Sequence, residues 1–157
     1  MDVIKRNFFA LLKAGAFGET HSVEPMSAHK WRKLFAVMGV HEVVPYAWAG
    51  YNKQQLPFVQ HVPKNIIHDL RNCQHAASTH KYESAQLSNG LLNKRLNNIR
   101  HNEPHAIDTS TETVHVLNII VHNIETMLNK GVVLRGIVDL GIYLRTMGHK
   151  IDFIKLE

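Results

Sequence analysis

Apolar residues along most of this chain are spaced as in helices. Ile4, Phe8, Leu11 and Leu12 fall at i, i+4, i+7 and i+8, the stripe of an amphipathic helix with one buried face. Gly15 and Gly18 break that pattern. Ser27 is placed to cap a second helix carrying Trp31, Leu34, Phe35 and Met38, with Gly39 as its stop. Pro45 and Pro57 bracket a loop-rich stretch, VPYAWAGYNKQQLP, whose Tyr46, Trp48 and Tyr51 are expected to pack down onto the helices. Pro63 suits the first turn of a third helix from about Lys64 to the Ser78 region. A fourth, with Leu87, Leu91, Leu92, Leu96 and Ile99 on its apolar side, continues that helix or begins after a break.

The clearest interruption is RHNEPHAIDTST, where Pro104 removes a backbone donor and restrains the residue before it. Thr109 and Glu112 then have capping-box spacing. Val114, Leu117, Val121, Ile124 and Leu128 follow at alternating three- and four-residue steps, and Lys130-Gly131 closes the helix. From about Val132 to Met147 the chain is apolar on nearly every side, with Gly136 and Gly141 allowing close approach of a neighbour and Gly148 at the C-cap. This last helix is expected to be central and buried. Strand-like alternation is confined to HEVVPYA near residue 41 and to the final IDFIKL. The pattern therefore predicts an all-α fold: a single compact domain spanning 1–157, built from about five to six helices.

Composition agrees with a globular chain. The 157 residues are 45% hydrophobic and 20% charged, enough for a core of their own. One cysteine, Cys73, excludes an intramolecular disulfide and a thiolate zinc site. The basic, apolar start invites a signal-peptide reading, but Lys13 interrupts the apolar run, and the stripe above favours a helix. No apolar stretch approaches the roughly 20 residues that span a bilayer, so the expectation is a cytoplasmic protein with no membrane partner.

The net charge of +5 is unevenly spread. Residues 1–53 hold seven Lys/Arg against four Asp/Glu, residues 54–101 six against two, and residues 102–157 five against seven. The basic middle offers Lys64, Arg71, Lys81, Lys94, Arg95 and Arg100. They are scattered as on a solvated helix surface, with a phosphate-binding face as the alternative.

FFALLKAGAFG followed by SAHKWRKLFAVMGV, together with VLNIIVHNIETMLNKGVVLRGIVDLGIYLRTMGHKID, resembles the two ends of an uncharacterised bacterial nucleotidyltransferase-like family found among Bacteroides-type bacteria. The likeness covers residues 7–51 and 113–152, about half of the chain, and its motifs are moderately specific. In the C-terminal part the residues matching a His-containing helix and a Gly-Leu-Arg-x-x-x-Asp helix are His122, Gly131, Leu134, Arg135 and Asp139. In such families paired carboxylates on a strand, in a Gly-Asp-x-Asp context, hold the metal that bridges the nucleotide phosphates. No Asp-x-Asp occurs in this sequence, and Asp69 and Asp108 are the only aspartates between the matching parts. The resemblance thus implies a helical remnant without the catalytic sheet, and no catalytic residue is assigned.

Twelve histidines raise the question of metal binding. His68 and His75, like His115 and His122, are seven apart, which separates two imidazoles on one helix by about 10 Å. His101 and His105 flank the Pro104 loop four residues apart, but Asn102 follows the first, so no HExxH motif is formed. No metal or other cofactor is expected; falling pH below about 6.5 is expected to charge most of these imidazoles. Cys73 and His75 point to different helix faces, so no nucleophile is assigned. The candidate binding residues are Arg135, Asp139 and His122. Arg135 and Asp139 are nearly the only charges on the last helix and stand at i, i+4, so they form either a structural ion pair or, through Arg135, an anion site.

The function expected is that of a non-catalytic helical protein related to nucleotidyltransferase-like proteins, acting by protein–protein association, with a homo-oligomer as the natural outlet for its apolar faces. One alternative is nucleotide or nucleic-acid binding through the basic middle helices. The other is the helical half of a split nucleotidyltransferase whose carboxylates come from a partner chain.

Overall fold

The computed structural model describes residues 2–53, 62–72, 82, 86–102 and 110–156. Among them are seven α-helices and no strand: α1 (Val3–Phe17), α2 (Ala28–Val40), α3 (Val44–Lys53), α4 (Lys64–Asn72), α5 (Gly90–Asn102), α6 (Ser110–Lys130) and α7 (Leu134–Met147). The all-helical class is as expected, and the helix count exceeds the five to six read from the sequence. Backbone contacts divide the chain into two compact units, Met1–His80 and Lys81–Glu157.

The first unit is organised by α1. Its stripe buries Phe8, Leu11 and Leu12, and α3 lies against it more extensively than any other helix. The crossing is so close that a Cβ on Gly15 would stand 1.8 Å from the Tyr46 carbonyl oxygen, and one on Gly50 2.1 Å from that of Leu11. Two glycines, one per helix, let backbone meet backbone there. Asn7, fully buried, fastens the chain that follows α1: its Nδ2 donates to the Glu24 carbonyl and its Oδ1 accepts from the Glu24 amide, both at 2.8 Å. Arg6 and the Glu24 carboxylate complete this clamp on the surface, Nη2 to Oε2 at 2.8 Å.

Ser27 caps α2 by accepting from the Lys30 amide, and Trp31, Leu34 and Met38 form its buried side. Gly39 does not end it. The amides of Glu42 and Val43 bond back to the carbonyls of Gly39 and Met38, and Glu42 takes the left-handed conformation, φ 56°. This is a Schellman closure with glutamate in glycine's usual place. The strand-like HEVV is thus a helix-to-helix connection. VPYAWAGYNK, expected as loop, is α3: Pro45 sits in its first turn, where a missing N–H leaves no bond unmade. Trp48 is buried and stacks on Tyr51, ring centroids 5.4 Å apart. Ile66 and Leu70 of α4 close the core. Among the described residues no hydrogen-bond partner faces the buried Trp31 Nε1.

In the second unit Asn89 precedes α5 and accepts from the amides of Leu91 and Leu92 at 3.0 and 3.2 Å. Leu87 lies outside the helix, held by Asn93, whose Oδ1 accepts from the Leu87 amide at 2.6 Å and whose Nδ2 donates to its carbonyl. Leu96 packs with Val121, Leu87 and Leu117, whereas Leu91 and Leu92, expected on the apolar side, are 81% and 50% exposed. In α6 the deepest residues are Val116 and Ile119. Ile124 and Leu128 of the expected stripe are exposed. Gly131, φ 88°, ends the helix as expected.

Nor is α7 the central helix. It packs on α6 along one side and leaves Ile137 and Leu144 exposed on the other. Gly148 is right-handed and opens a 3₁₀ turn, Gly148–Lys150; the C-terminal IDFIKL contains a second such turn, Ile154–Leu156, instead of a strand. The Asp152 amide donates to Thr113 Oγ1 at 3.0 Å, tying that tail to α6. Cys73, His75, the Pro104 loop with His105, and Thr109 of the expected capping box lie outside the described residues.

Candidate functional site

The densest polar constellation among the described residues lies where α7 meets α6. On α7, Arg135, Asp139 and Tyr143 follow at i, i+4 and i+8, one row on a helix. On α6, His115 and His122 are one heptad apart on a common side. Arg135 Nε donates to both Asp139 oxygens, at 3.0 and 2.9 Å, and their side chains are only 7% and 11% exposed. Tyr82 donates its hydroxyl to Asp139 Oδ2. The carboxylate therefore accepts from a guanidinium and a phenol together, as a buried charge requires.

Tyr82 also brings in the histidines. Its ring meets His122 edge-on at 5.2 Å and His115 at 6.3 Å, and His115 tilts over Tyr143 at 4.6 Å. The His122 Nε2 and Thr126 Oγ1 stand 3.4 Å apart, one turn along. Burial, reinforced by the negative charge of Glu112, pushes the Tyr143 phenol above its ordinary pKa. At the head of the seam Asn123 Nδ2 donates to the Gly136 carbonyl at 3.0 Å, and any Cβ at 136 would collide with the Asn123 amide.

The structure thus gathers Arg135 and Asp139 in direct contact, with His122 joined to them through Tyr82. The sequence pattern offered no sign of Tyr82, which lies in a stretch without periodicity, or of Asn123. Chemically the seam neutralises Arg135 in place: its Nε is spent on Asp139 and the pair is nearly closed to solvent. Among the described residues no group of three or more His, Cys, Asp or Glu converges as a metal site. No helix among them is long and apolar enough to cross a membrane.

Comparison with protein-family models, curated proteins and solved structures returned no match.

Proposed function

We propose that this chain acts by association with a protein surface, in the first instance a second copy of itself, and has no catalytic centre of its own. The supporting observation is the orientation of α7. Its inward side carries Arg135 and Asp139, while its outward side carries Ile137, 52% exposed, and Leu144, 36% exposed, seven residues apart on one row. A helix facing only water would do the reverse. The C-terminal half of α6 repeats the feature, with Ile124, Met127 and Leu128 at i, i+3 and i+4 exposed by 40%, 52% and 72%. Val132 in the connection adds to the uncovered apolar surface.

Kinship with nucleotidyltransferase-like proteins belongs to the same proposal and is supported by the Gly131, Leu134, Arg135, Asp139 pattern. The missing Asp-x-Asp supports a non-catalytic role. A C2 dimer is the simplest closed assembly that covers one such surface with its own copy.

Sedimentation velocity from low to high micromolar concentration tests this. The expected result is a dimer, converted to a monomer of unchanged helix content by Ile137→Asp with Leu144→Asp. A chain that stays monomeric over the whole range would overturn it.

A further inference from the structure

We propose that the outward face of α5 is a docking surface for duplex DNA, contacting its phosphates and entering the major groove. This goes beyond the association proposed above and rests on a different helix. Through its 13 residues α5 carries Lys94, Arg95 and Arg100 and no acidic residue. It is held to α6 from one side: Leu96 packs into the cluster with Val121 and Leu117, and Arg100 Nε donates to Asn118 Oδ1 at 2.8 Å. Inward burial at Leu96 fixes which residues face out. Leu91, Lys94, Arg95 and Asn98 follow at i, i+3, i+4 and i+7, and His101 extends the row by three; all five are exposed.

The chemistry of that row is specific in kind. Two cations one residue apart can each meet a phosphate, and an amide and an imidazole on the next turn are donors and acceptors for base edges. The Asn89 cap and the two bonds between Asn93 and Leu87 fix the start of α5.

Duplex DNA is favoured over other polyanions by shape. An α-helix with its side chains is about 10–12 Å across, and the B-form major groove is about 12 Å wide. The major groove of A-form RNA is too narrow for side chains to read. Single strands are held by aromatic platforms, and α5 contains no Phe, Tyr or Trp. Charge on the helix itself favours the same partner, since Lys94 and Arg95 stand on its exposed row with no acidic residue along α5 and nonspecific DNA affinity arises from phosphate neutralisation.

The test is fluorescence anisotropy of the full chain with a labelled mixed-sequence DNA duplex, titrated in salt. Duplex RNA, single-stranded DNA and polyglutamate serve as competitors. Binding at low salt is expected, weakened about tenfold or more by K94Q/R95Q, with the slope of log K against log salt smaller by about two. Both side chains are exposed, so circular dichroism should be unchanged, and K94R/R95K should retain binding. No binding to duplex DNA at low salt overturns the proposal. So does binding that K94Q/R95Q leaves intact, or competition by polyglutamate or RNA as strong as by DNA.

Discussion

Replacing Gly50 with alanine tests the α1–α3 crossing most directly. The added Cβ would stand 2.1 Å from the Leu11 carbonyl oxygen, 2.9 Å from the Gly15 nitrogen and 3.0 Å from the Leu11 carbonyl carbon. All three are backbone atoms, so no rotamer change relieves the contact. Restoring an ordinary separation of about 3.5 Å moves one helix by more than about 1 Å and opens the layer of Phe8, Leu11, Leu12, Ala47 and Trp48 buried around it. Overpacking of this kind costs about 1–3 kcal/mol, and unyielding backbone puts Gly50 at the upper end. Alanine returns about 1 kcal/mol of helix propensity. The net expectation is a loss of about 2 kcal/mol, or roughly 10 °C in Tm for a unit of this size. Gly39 supplies the internal control, because it is helical and a Cβ there meets nothing within 4 Å; Gly39→Ala should gain up to about 1 kcal/mol. Both tryptophans, Trp31 and Trp48, lie in the first unit, so urea unfolding followed by tryptophan fluorescence reads that unit alone. Equal or greater stability of Gly50→Ala would refute the close crossing.

Three further outcomes are expected. Arg135→Met leaves the Asp139 carboxylate buried without its guanidinium and should cost about 3–5 kcal/mol, largely recovered by adding Asp139→Leu; amide exchange along α7 measures both, and an unaffected single variant would remove the pair's structural role. Glu24 accepts from Arg6, which, with Arg6's charge, holds its carboxyl below the ordinary 4.5. A lowered folded pKa stabilises above the unfolded value and is lost as pH falls through the folded one; carboxyl NMR should show this, and Arg6→Gln should return Glu24 toward 4.5. Tyr143 is shifted the other way, by burial and then by Glu112, so its contribution is present below the unfolded pKa near 10 and lost as pH rises through the folded one. Absorbance titration should place its ionisation above that of a free phenol, and Glu112→Gln should lower it part of the way.

Local signals in the sequence were reliable where one residue decides the geometry. Ser27 caps and Gly131 ends a helix because a hydroxyl or a left-handed φ is needed there. Apolar periodicity gave the face of α1, where burial follows the stripe. On α6 it held for Leu117 and Val121 and failed for Ile124 and Leu128, and on α7 it overstated burial, because periodicity shows which residues are apolar and not which of them a neighbour covers. Pro45 misled for a different reason: proline marks a loop or a helix's first turn equally well, and only the packing of Gly50 on Leu11 selects the turn. Of the seam, Arg135 and Asp139 could be paired by spacing alone, and His122 singled out by its family resemblance. Tyr82 could not, since it reaches Asp139 across 57 positions and nothing local marks a tertiary hydrogen bond.

The seam and the uncovered surface of the second unit have one explanation between them. Burying Arg135 and Asp139 is weak as a source of stability, because desolvation offsets most of the attraction. Its strength is in register: sliding α7 by one residue would take the carboxylate from Tyr82, set a bulkier residue against Asn123 in place of Gly136, and leave charge buried without a partner. The pair of helices is thus fixed by polar contacts on the inside. Val138, buried on the inner side, supplies apolar contact there, and Ile137 and Leu144 are left on the outer row, where a rigid, well-registered apolar surface loses little entropy on meeting a partner. Were they needed for folding, Ile137→Asp with Leu144→Asp would melt the unit; because the buried core of Val116, Ile119, Val121 and Val138 does not include them, the substitutions should dissolve the dimer and leave the helices standing.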